Sequence, residues 1–322
     1  MNLTTSYLGL TLENPLVIGS SPLADSVTYA RQLQDAGAAA IVLRSLFEEQ
    51  LAPAARFESF NSGYTPVPFD GPSYPFSPDQ YLRQVSRLKR ELAIPVIASL
   101  NAGHAGSWVS FARQLESAGA DALELNFYRV VADPHLAADQ VELEMLEAVN
   151  AITSAVSMPV AVKLSPFHAA VAQLALALEL AGAAGVVVFN RFYQPDINVE
   201  DLAVEPVLRL SEPGELLLRL RWLAILSPLL PGSLAVTGGV HTAEGVVKSL
   251  LAGAHAVQIV SAVLEHGPEV VTRLREGLLR WMRLRGCETI DEFRGRLNQE
   301  RCDDPATYER ANYIRVLQSW RR

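Results

Sequence analysis

Short apolar runs alternate with segments of helical periodicity along nearly the whole chain. The apolar runs centre on Val17, Ile41, Ile97, Leu123, Ala161, Val187, Val236 and Ile259. Their brevity and their continuous apolar character are typical of buried parallel strands. Residues 26–36, 80–92 and 140–156 have the apolar spacing of amphipathic helices. Eight strands alternating with helices predict an α/β fold, a TIM (β/α)8 barrel.

Four of the predicted helices end with the same Ala-Gly-Ala signature before the next strand. Their glycines are Gly37, Gly119, Gly182 and Gly253. A glycine just past a helix adopts the left-handed conformation that ends it, and small neighbours permit a tight turn into the strand. The repetition indicates one repeated unit. We therefore predict one barrel over residues 1–297, followed by a charged C-terminal extension over residues 298–322.

Segments outside the repeat add detail to this barrel. Residues 7–13 predict a small N-terminal hairpin around Gly9, ahead of the first barrel strand. The connections over residues 47–78 and 193–213 are long and follow strands. Active sites of such barrels lie where the strands end, so we expect these extended loops at the C-terminal face to be lids or substrate loops. A surface insertion without function is the alternative for either loop.

Composition narrows the class of protein. Hydrophobic residues make up 49% of the 322 residues and the net charge is -8, which favours a soluble, cytoplasmic protein and argues against a nucleic-acid surface. No apolar stretch reaches the roughly 20 residues that span a bilayer. Cys287 and Cys302 show no CxxC spacing and the histidines no paired ligand spacing, so we predict no disulfide framework and no metal.

Every predicted strand ends in a polar or glycine residue. In chain order these are Ser20, Ser21, Arg44, Ser45, Asn101, Asn126, Lys163, Asn190, Gly238, Gly239 and Ser261. Because barrel strands end at one mouth, we expect these residues to face one another. Asparagine amides match a ring edge of alternating C=O and N–H groups, such as a flavin or a pyrimidine. A glycine turn that leads into a helix favours phosphate.

Lys163 ends a buried strand, where an unpaired charge is costly. It therefore needs an anionic partner. A reduced flavin, a phosphate or a carbonyl substrate that forms a Schiff base would meet this need. A neighbouring carboxylate such as Glu124 would meet it equally, as a purely structural pair.

These motifs, in this order and spacing, resemble the dihydroorotate dehydrogenase family, nearest its soluble class 1 branch. The resemblance covers residues 3–297 and rests on Asn14-Pro15, Arg44-Ser45, Glu124-Leu125-Asn126, Val162-Lys163-Leu164-Ser165-Pro166, Thr237-Gly238-Gly239-Val240, Ala252-Gly253-Ala254, Val257-Gln258-Ile259 and Gly267-Pro268.

The resemblance implies a barrel that binds FMN, with Gly238, Gly239 and Ser261 at its phosphate and Lys163 beside the isoalloxazine. It places Asn101, Asn126 and Asn190 near the flavin and a pyrimidine-like substrate. We expect Ser20, Ser21 and Ser45 to join the cofactor site. A homodimer is a further implication of the resemblance.

The family pattern breaks after the fourth strand. Where the family carries a cysteine or serine base, this chain has Phe127-Tyr128-Arg129, so Arg129 occupies the position of the base. A guanidinium stays protonated and cannot accept a proton. Arg44 replaces a usual lysine, and Arg191 follows Asn190. Three arginines suit an anionic, cyclic substrate, bound by Arg44, Asn126, Asn190 and Arg191.

A replacement for the missing acid or base is expected among a few residues. Tyr128 lies beside the changed position, Tyr64 and Tyr74 lie in the long second connection, and His104 follows the third strand. Each of them also has an ordinary structural role open to it.

Four functions fit these residues. The first is FMN-dependent oxidation of a CH–CH bond, dihydroorotate to orotate, in pyrimidine biosynthesis. The second is an FMN-dependent ene reductase or dehydrogenase for another cyclic amide or enone, which needs a proton donor instead of a base. The third is a flavin-free, phosphate-binding barrel, either a lyase with Lys163 as Schiff base or an isomerase. The fourth is a flavin-binding protein with little catalysis, acting as a partner in a complex. No nucleic-acid or membrane partner is expected.

Overall fold

Eight parallel strands close into a barrel in the computed structural model of this chain, which describes residues 1–47, 50, 76–101, 105–191, 193–310 and 313–319. The strands are β1 (Thr5–Tyr7), β2 (Leu10–Leu12), β3 (Leu16–Ser21), β4 (Ala40–Leu43), β5 (Leu46–Phe47), β6 (Val96–Asn101), β7 (Ala122–Asn126), β8 (Val160–Leu164), β9 (Gly185–Val188), β10 (Pro195–Asn198), β11 (Ala203–Pro206), β12 (Ser233–Thr237) and β13 (Ala256–Ile259). The barrel runs β3-β4-β6-β7-β8-β9-β12-β13 and returns to β3, while β5 extends the pairing of β6. The predicted barrel is confirmed.

Helices connect these strands on the outside. They are α1 (Val27–Asp35), α2 (Pro78–Glu91), α3 (Ala105–Ser117), α4 (Ala138–Thr153), α5 (Val171–Leu180), α6 (Leu216–Leu226), α7 (Ala243–Ala252), α8 (Ser261–His266), α9 (Glu269–Arg285) and α10 (Tyr313–Gln318). The three helices predicted from periodicity correspond to α1, α2 and α4. Side-chain caps account for two of the starts, because Ser26 accepts the N–H of Tyr29 and Ser77 forms a capping box with Gln80. All four Ala-Gly-Ala glycines have positive φ, as expected.

The lower end of the barrel is filled by small side chains and closed by the N-terminal hairpin. Alanines from five strands point into this layer, namely Ala40, Ala122, Ala161, Ala235 and Ala256. Their small volume leaves space for Tyr7, Leu8 and Leu12 of the β1–β2 hairpin, which are buried against them. The predicted hairpin is therefore confirmed, and it functions as a plug. A second, larger core lies between the strands and the helices.

The long connections differ from the expectation in one respect. Residues 193–213 contain the antiparallel hairpin β10–β11, whereas the sequence pattern predicts only an extended loop. Residues 48–49 and 51–75 of the other connection lie outside the described residues. The division at residue 297 stays a prediction, and beyond it lie a short 3-10 helix, Pro305–Tyr308, and α10.

Within the described chain, no helix has both the length and the apolar character that crossing a bilayer requires. Over the same residues, no cluster of histidine, cysteine, aspartate and glutamate side chains is suited to hold a metal ion.

His255 links the plug to the barrel and makes the stability of the fold pH-dependent. Its Nδ1 accepts the N–H of Leu234 at 3.0 Å, and its carbonyl accepts the hydroxyl of Thr5. Burial and the nearby Arg294 guanidinium lower the pKa of His255 to about 4 from its ordinary 6.5. Because the unfolded chain binds this proton at higher pH than the native chain, stability is lost as the pH falls through this range.

We expect the free energy of unfolding to fall by up to about 1.4 kcal/mol per pH unit between pH 6.5 and 4 through this group. Denaturant unfolding at several pH values measures it. In His255→Asn, which retains an acceptor but does not titrate, the slope should be shallower. His266→Asn alters a half-exposed histidine and is the control, and an equal change in slope for both variants would contradict the assignment.

Candidate active site

The strand-end residues line one cavity at the mouth of the barrel. Its volume is about 510 Å3, within the range of roughly 300–1,000 Å3 that ligand and cofactor sites occupy. The predicted residues in its wall are Ser20, Ser21, Arg44, Ser45, Asn101, Asn126, Tyr128, Lys163, Asn190, Arg191, Gly238, Gly239 and Ser261. Apolar side chains such as Phe189, Ile259 and Leu264 complete it. The barrel topology therefore brings these distant sequence positions together.

Arg129 is the exception among the predicted site residues. It does not line this cavity, and its Nη1 donates to Glu144 at 2.6 Å beside a neighbouring cleft. Arg129 therefore lies outside the lining of the cavity, and a catalytic role for it stays a prediction. The acidic partner on α4 holds the guanidinium on the outer side of the loop, and Tyr128 lies on the cavity side.

A buried ion pair forms the floor of the cavity. Lys163 on β8 donates to Glu124 on β7 at 2.5 Å, and the two side chains are 7% and 1% exposed. The alternative in which a carboxylate pairs with Lys163 is thus what the structure shows. The other oxygen of Glu124 accepts the side-chain N–H of Gln258 at 2.5 Å. A buried charge pair is tolerated when both charges have such partners.

Polar side chains continue from this ion pair toward the β1–β2 hairpin, which plugs the lower end of the barrel. Burial and the negative charge of Glu124 raise the pKa of the Tyr7 hydroxyl well above its ordinary value, whereas a side-chain hydrogen bond with Gln258 lowers it. The sequence pattern assigns no role in the site to Tyr7, and it includes Gln258 only as part of the Val257-Gln258-Ile259 motif. Gln258 had a recognisable signal, because it is a polar residue in the middle of an apolar strand.

A second network connects the amide and hydroxyl groups of one wall. The Asn126 side-chain N–H donates to Ser99 at 2.8 Å and to Ser45 at 3.1 Å, and the two serine hydroxyls lie 2.8 Å apart. Ser20 extends the network, 3.3 Å from Ser45. Ser99 was missed, although it lies two residues before Asn101 and so shares its face of β6. In the described chain nothing donates to the buried Oδ1 of Asn126. This acceptor is available to a ligand N–H.

The glycine turn after β12 forms the opposite wall. Gly238 and Gly239 have φ of +91° and +79°, and a Cβ on Gly239 would lie 2.5 Å from the backbone nitrogen of Leu216. Only glycine fits there. The Gly239 N–H donates to the hydroxyl of Ser211 at 3.1 Å, and Ser211 donates to Ser261 at 2.9 Å. Two hydroxyls and an amide thus converge at the turn, as in anion-binding sites.

Arg219 supports this turn from behind. Its buried guanidinium donates to the Thr237 carbonyl at 2.5 Å and to the Glu215 carbonyl at 2.7 Å, and a Cβ on Gly238 would collide with it. Burial lowers the pKa of Arg219, and the charge of Glu215 opposes this shift. Nothing in the sequence indicates that an arginine on a helix lies behind the glycine turn. Ser211 belongs to a long loop whose path the sequence does not predict. Both were missed for that reason.

The remaining arginines of the cavity are held by local partners. Arg44 donates to both carboxylate oxygens of Asp25, at 3.0 and 2.6 Å, while burial raises the pKa of that carboxyl. Arg191 donates to the Leu210 carbonyl at 2.8 Å. Asn190 makes a long, 3.5 Å contact with the Lys163 carbonyl. The substrate-binding role of these residues stays a prediction.

Tyr128 is the candidate acid that the structure places in the cavity wall. Its hydroxyl accepts the N–H of Tyr193 at 3.0 Å, and burial raises its pKa. The phenol is therefore protonated at neutral pH. The other candidates, Tyr64, Tyr74 and His104, lie outside the described residues.

Comparison with known proteins adds a second line of observation. No family model matches the chain. The putative dihydroorotate dehydrogenase A (fumarate) of Aeropyrum pernix is 28% identical over 306 residues, which cover 91% of this chain and 96% of the relative. The catalytic subunit of dihydroorotate dehydrogenase B (NAD(+)) of Thermoplasma acidophilum is 30% identical over 279 residues, covering 84% and 90%.

Among solved structures, the dihydroorotate dehydrogenase of Eimeria tenella in complex with ferulenol superposes with a TM-score of 0.67. The match covers 91% of this chain and 88% of the other at 14% identity. At 14% identity, this structural similarity supports the barrel fold alone.

The ion pair under the cavity makes a direct prediction about stability. Glu124→Gln keeps the side-chain shape but leaves Lys163 charged and uncompensated inside the barrel. We expect the free energy of unfolding to fall by about 3 kcal/mol, measured by denaturant titration at neutral pH. The double variant Glu124→Gln/Lys163→Met removes both charges and should recover most of the loss.

Glu276→Gln is the matched control, because Glu276 forms an exposed pair with Arg280 at 3.8 Å. A change below about 0.5 kcal/mol is expected there. Similar losses of unfolding free energy for Glu124→Gln and the control would show that the buried pair contributes no more to stability than an exposed pair.

Proposed function

The chain belongs to the dihydroorotate dehydrogenase family, and we propose that it is an FMN-dependent oxidoreductase of EC 1.3 type that interconverts dihydroorotate and orotate in pyrimidine biosynthesis. One observation carries the proposal. A single cavity joins an anion-binding glycine turn to a wall of amide and hydroxyl groups above a lysine. A phosphate at one end and a planar heterocycle at the other match these two parts.

The cavity residues fit FMN at both ends. Toward the phosphate lie the Gly239 N–H and the hydroxyls of Ser211 and Ser261, which hydrogen-bond to one another in this structure. We propose that a bound phosphate takes the place of these mutual contacts, with Arg219 supporting the turn from behind. Toward the ring, the buried Oδ1 of Asn126 is an acceptor for which the described chain supplies no donor. We propose that Ser20, Ser21, Ser45 and Asn101 complete this ring site, as the resemblance implies.

FMN, when bound, supplies hydride transfer at its N5 position. Lys163 contributes a fixed positive charge at the cavity floor, suited to a ring that gains negative charge. Glu124 keeps the ammonium group in place and neutralises part of its field. In the proposed site, Asn126 and Asn190 orient the substrate ring, and Arg44 and Arg191 contribute positive charge for an anionic substrate.

Proton transfer is the step in which this chain departs from its family. Apart from the lysine and two arginines, the titratable groups that line the described part of the cavity are Tyr128 and Tyr193. Burial raises the pKa of Tyr128, so at neutral pH it is an acid that donates a proton, and a poor base. Tyr128 therefore serves the reducing direction of the reaction best.

This observation also favours a second candidate function. An ene reductase for another anionic cyclic amide or enone needs the same cofactor and a proton donor, and it needs no base. One relative is named as a fumarate-dependent enzyme, and another as the catalytic subunit of an NAD(+)-dependent enzyme. By analogy, the electron partner in the proposed function is a soluble compound or a further subunit. A cytoplasmic homodimer is part of the proposal.

The half-reaction with orotate tests the proposal. The purified flavoprotein is photoreduced without oxygen and mixed with orotate while the visible flavin absorbance is followed. We expect rapid reoxidation, because Tyr128 supplies the proton that reduction of orotate requires. Reduced flavin that orotate leaves unchanged, but that a cyclic enone reoxidises, would shift the assignment to the second candidate.

Tyr128→Phe tests the role of the phenol in the same assay. We expect reoxidation to slow by about 100-fold with unchanged FMN content, since loss of a general acid commonly costs that much. Tyr313→Phe, in the exposed part of α10, is the control and should react like the parent protein. An unaltered rate in Tyr128→Phe would remove this residue from the proton transfer.

A further inference from the structure

A glutamine ties two opposite strands of the barrel together at the floor of the cavity. Gln258 on β13 is 1% exposed and donates its side-chain N–H to Glu124 on β7 at 2.5 Å. In the ring of eight strands, β13 and β7 lie four strands apart. They therefore face each other across the barrel, and the hydrogen bond spans its interior. Both Gln258 and Lys163, the other partner of Glu124, line the cavity.

The glutamine amide is held there at an energetic cost. Its nitrogen has a partner, but within the described residues nothing donates to its buried Oε1. A buried acceptor without a donor destabilises the folded chain. Methionine or leucine would occupy similar space in the barrel without that cost. What glutamine contributes, and an apolar residue would not, is the N–H that reaches the carboxylate of Glu124.

The neighbouring strand leaves room for this amide. On β3, a Cβ added to Gly19 would lie 3.2 Å from the Gln258 Oε1 and 2.8 Å from the Val260 side chain. A glycine inside a strand commonly marks such a close approach. A larger residue at position 19 would press against the amide, so the packing of β3 is matched to the glutamine.

The groups around Glu124 hold one negative charge between two donors. Lys163 donates to its Oε1 at 2.5 Å, and Gln258 donates to its Oε2 at 2.5 Å. From the side of the plug, burial and, to a smaller extent, the charge of Glu124 raise the pKa of the Tyr7 phenol. Tyr7 is therefore uncharged at neutral pH and leaves the carboxylate charge to Lys163 and Gln258.

We propose that Gln258 is a positioning residue that keeps Lys163 charged and so raises the reduction potential of a flavin bound in the cavity. The inference rests on the proposed function, because it needs FMN as the ligand. A buried carboxylate and ammonium in contact can also exist as a neutral pair, after one proton passes from Nζ to the carboxylate oxygen. The Gln258 N–H stabilises the carboxylate charge, and it thereby favours the ion pair over the neutral pair.

The charge of Lys163 matters for the cofactor because reduction adds negative charge to the flavin ring. A fixed ammonium group at the cavity floor stabilises the reduced ring more than the oxidised ring. A neutral amine does so less. Loss of the Gln258 N–H should therefore lower the reduction potential, whereas a tie that only braces β13 against β7 would alter stability alone.

Gln258→Met tests the inference, because methionine keeps the length of the side chain and lacks the N–H. We expect reduced FMN to be bound at least about tenfold less tightly relative to oxidised FMN. For a two-electron couple, this fold-change corresponds to a fall of about 30 mV in the potential. Anaerobic reduction of the bound flavin in the presence of a dye of known potential measures it. Gln258→Leu, the second variant, should also lower the potential.

A double-variant background shows whether Gln258 acts through the ion pair. In Glu124→Gln/Lys163→Met there is no charge to hold. Adding Gln258→Met to it should therefore change the relative affinity less than about twofold, or about 9 mV. Gln84→Met is the matched control. Gln84 is a buried glutamine too, but its amide donates to two backbone carbonyls, at 2.9 and 3.0 Å, so the potential should equal that of the parent.

Flavin bound by Gln258→Met and Gln258→Leu with the parental potential would overturn the inference and leave the proposed function standing. An equal fall in the double-variant background would also overturn it, because Gln258 would then act without the ion pair. The same holds for an equal fall in the control. Parent protein that takes up no FMN would overturn the proposed function and this inference together. Circular dichroism checks that each variant is folded.

Discussion

The buried pair of Glu124 and Lys163 is the interaction on which the site depends. It divides the barrel interior into an apolar lower layer, plugged by the N-terminal hairpin, and a polar upper layer that opens into the cavity. Each charge has a fixed partner, and Gln258 takes the remaining carboxylate oxygen. The floor of the cavity is therefore nearly neutral overall while it keeps an ammonium group at its surface. A ligand that gains negative charge during the reaction finds stabilisation there, and the resting site carries little excess charge.

The end of the cavity at the glycine turn is suited to an anion through neutral hydrogen-bond donors, whereas the floor presents the charged Lys163. Its donors are the backbone amide of Gly239 and two serine hydroxyls, and the charge of Arg219 lies behind the turn. Backbone donors cannot move away or lose a proton, so this end is preorganised for a phosphate. The tight packing of the turn against Leu216 and Arg219 explains why both positions need glycine. In the proposed function, these two ends hold FMN between them, and Tyr128 at the rim supplies the proton.

The sequence predicted the barrel well because eight buried strands leave a strong apolar pattern and the helix-ending glycines repeat. It also predicted most of the cavity wall, since parallel strands bring their ends to one mouth whatever the loops do. It could not predict residues whose places depend on tertiary packing. Ser211 and Arg219 reach the glycine turn from a loop and a helix, and Arg129 is turned outward by Glu144 on another helix. The apolar face of the β10–β11 hairpin emerged only when the register placed Ile197 opposite Val204.

Uptake of FMN is the measurement that decides whether the cavity above Lys163 binds one flavin per chain. The protein is stripped of bound cofactor and titrated with FMN while the flavin fluorescence is followed, with total FMN per chain determined after release. We expect saturable uptake of one FMN per chain. Protein that remains colourless and takes up no FMN, although its circular dichroism shows the folded barrel, would contradict it.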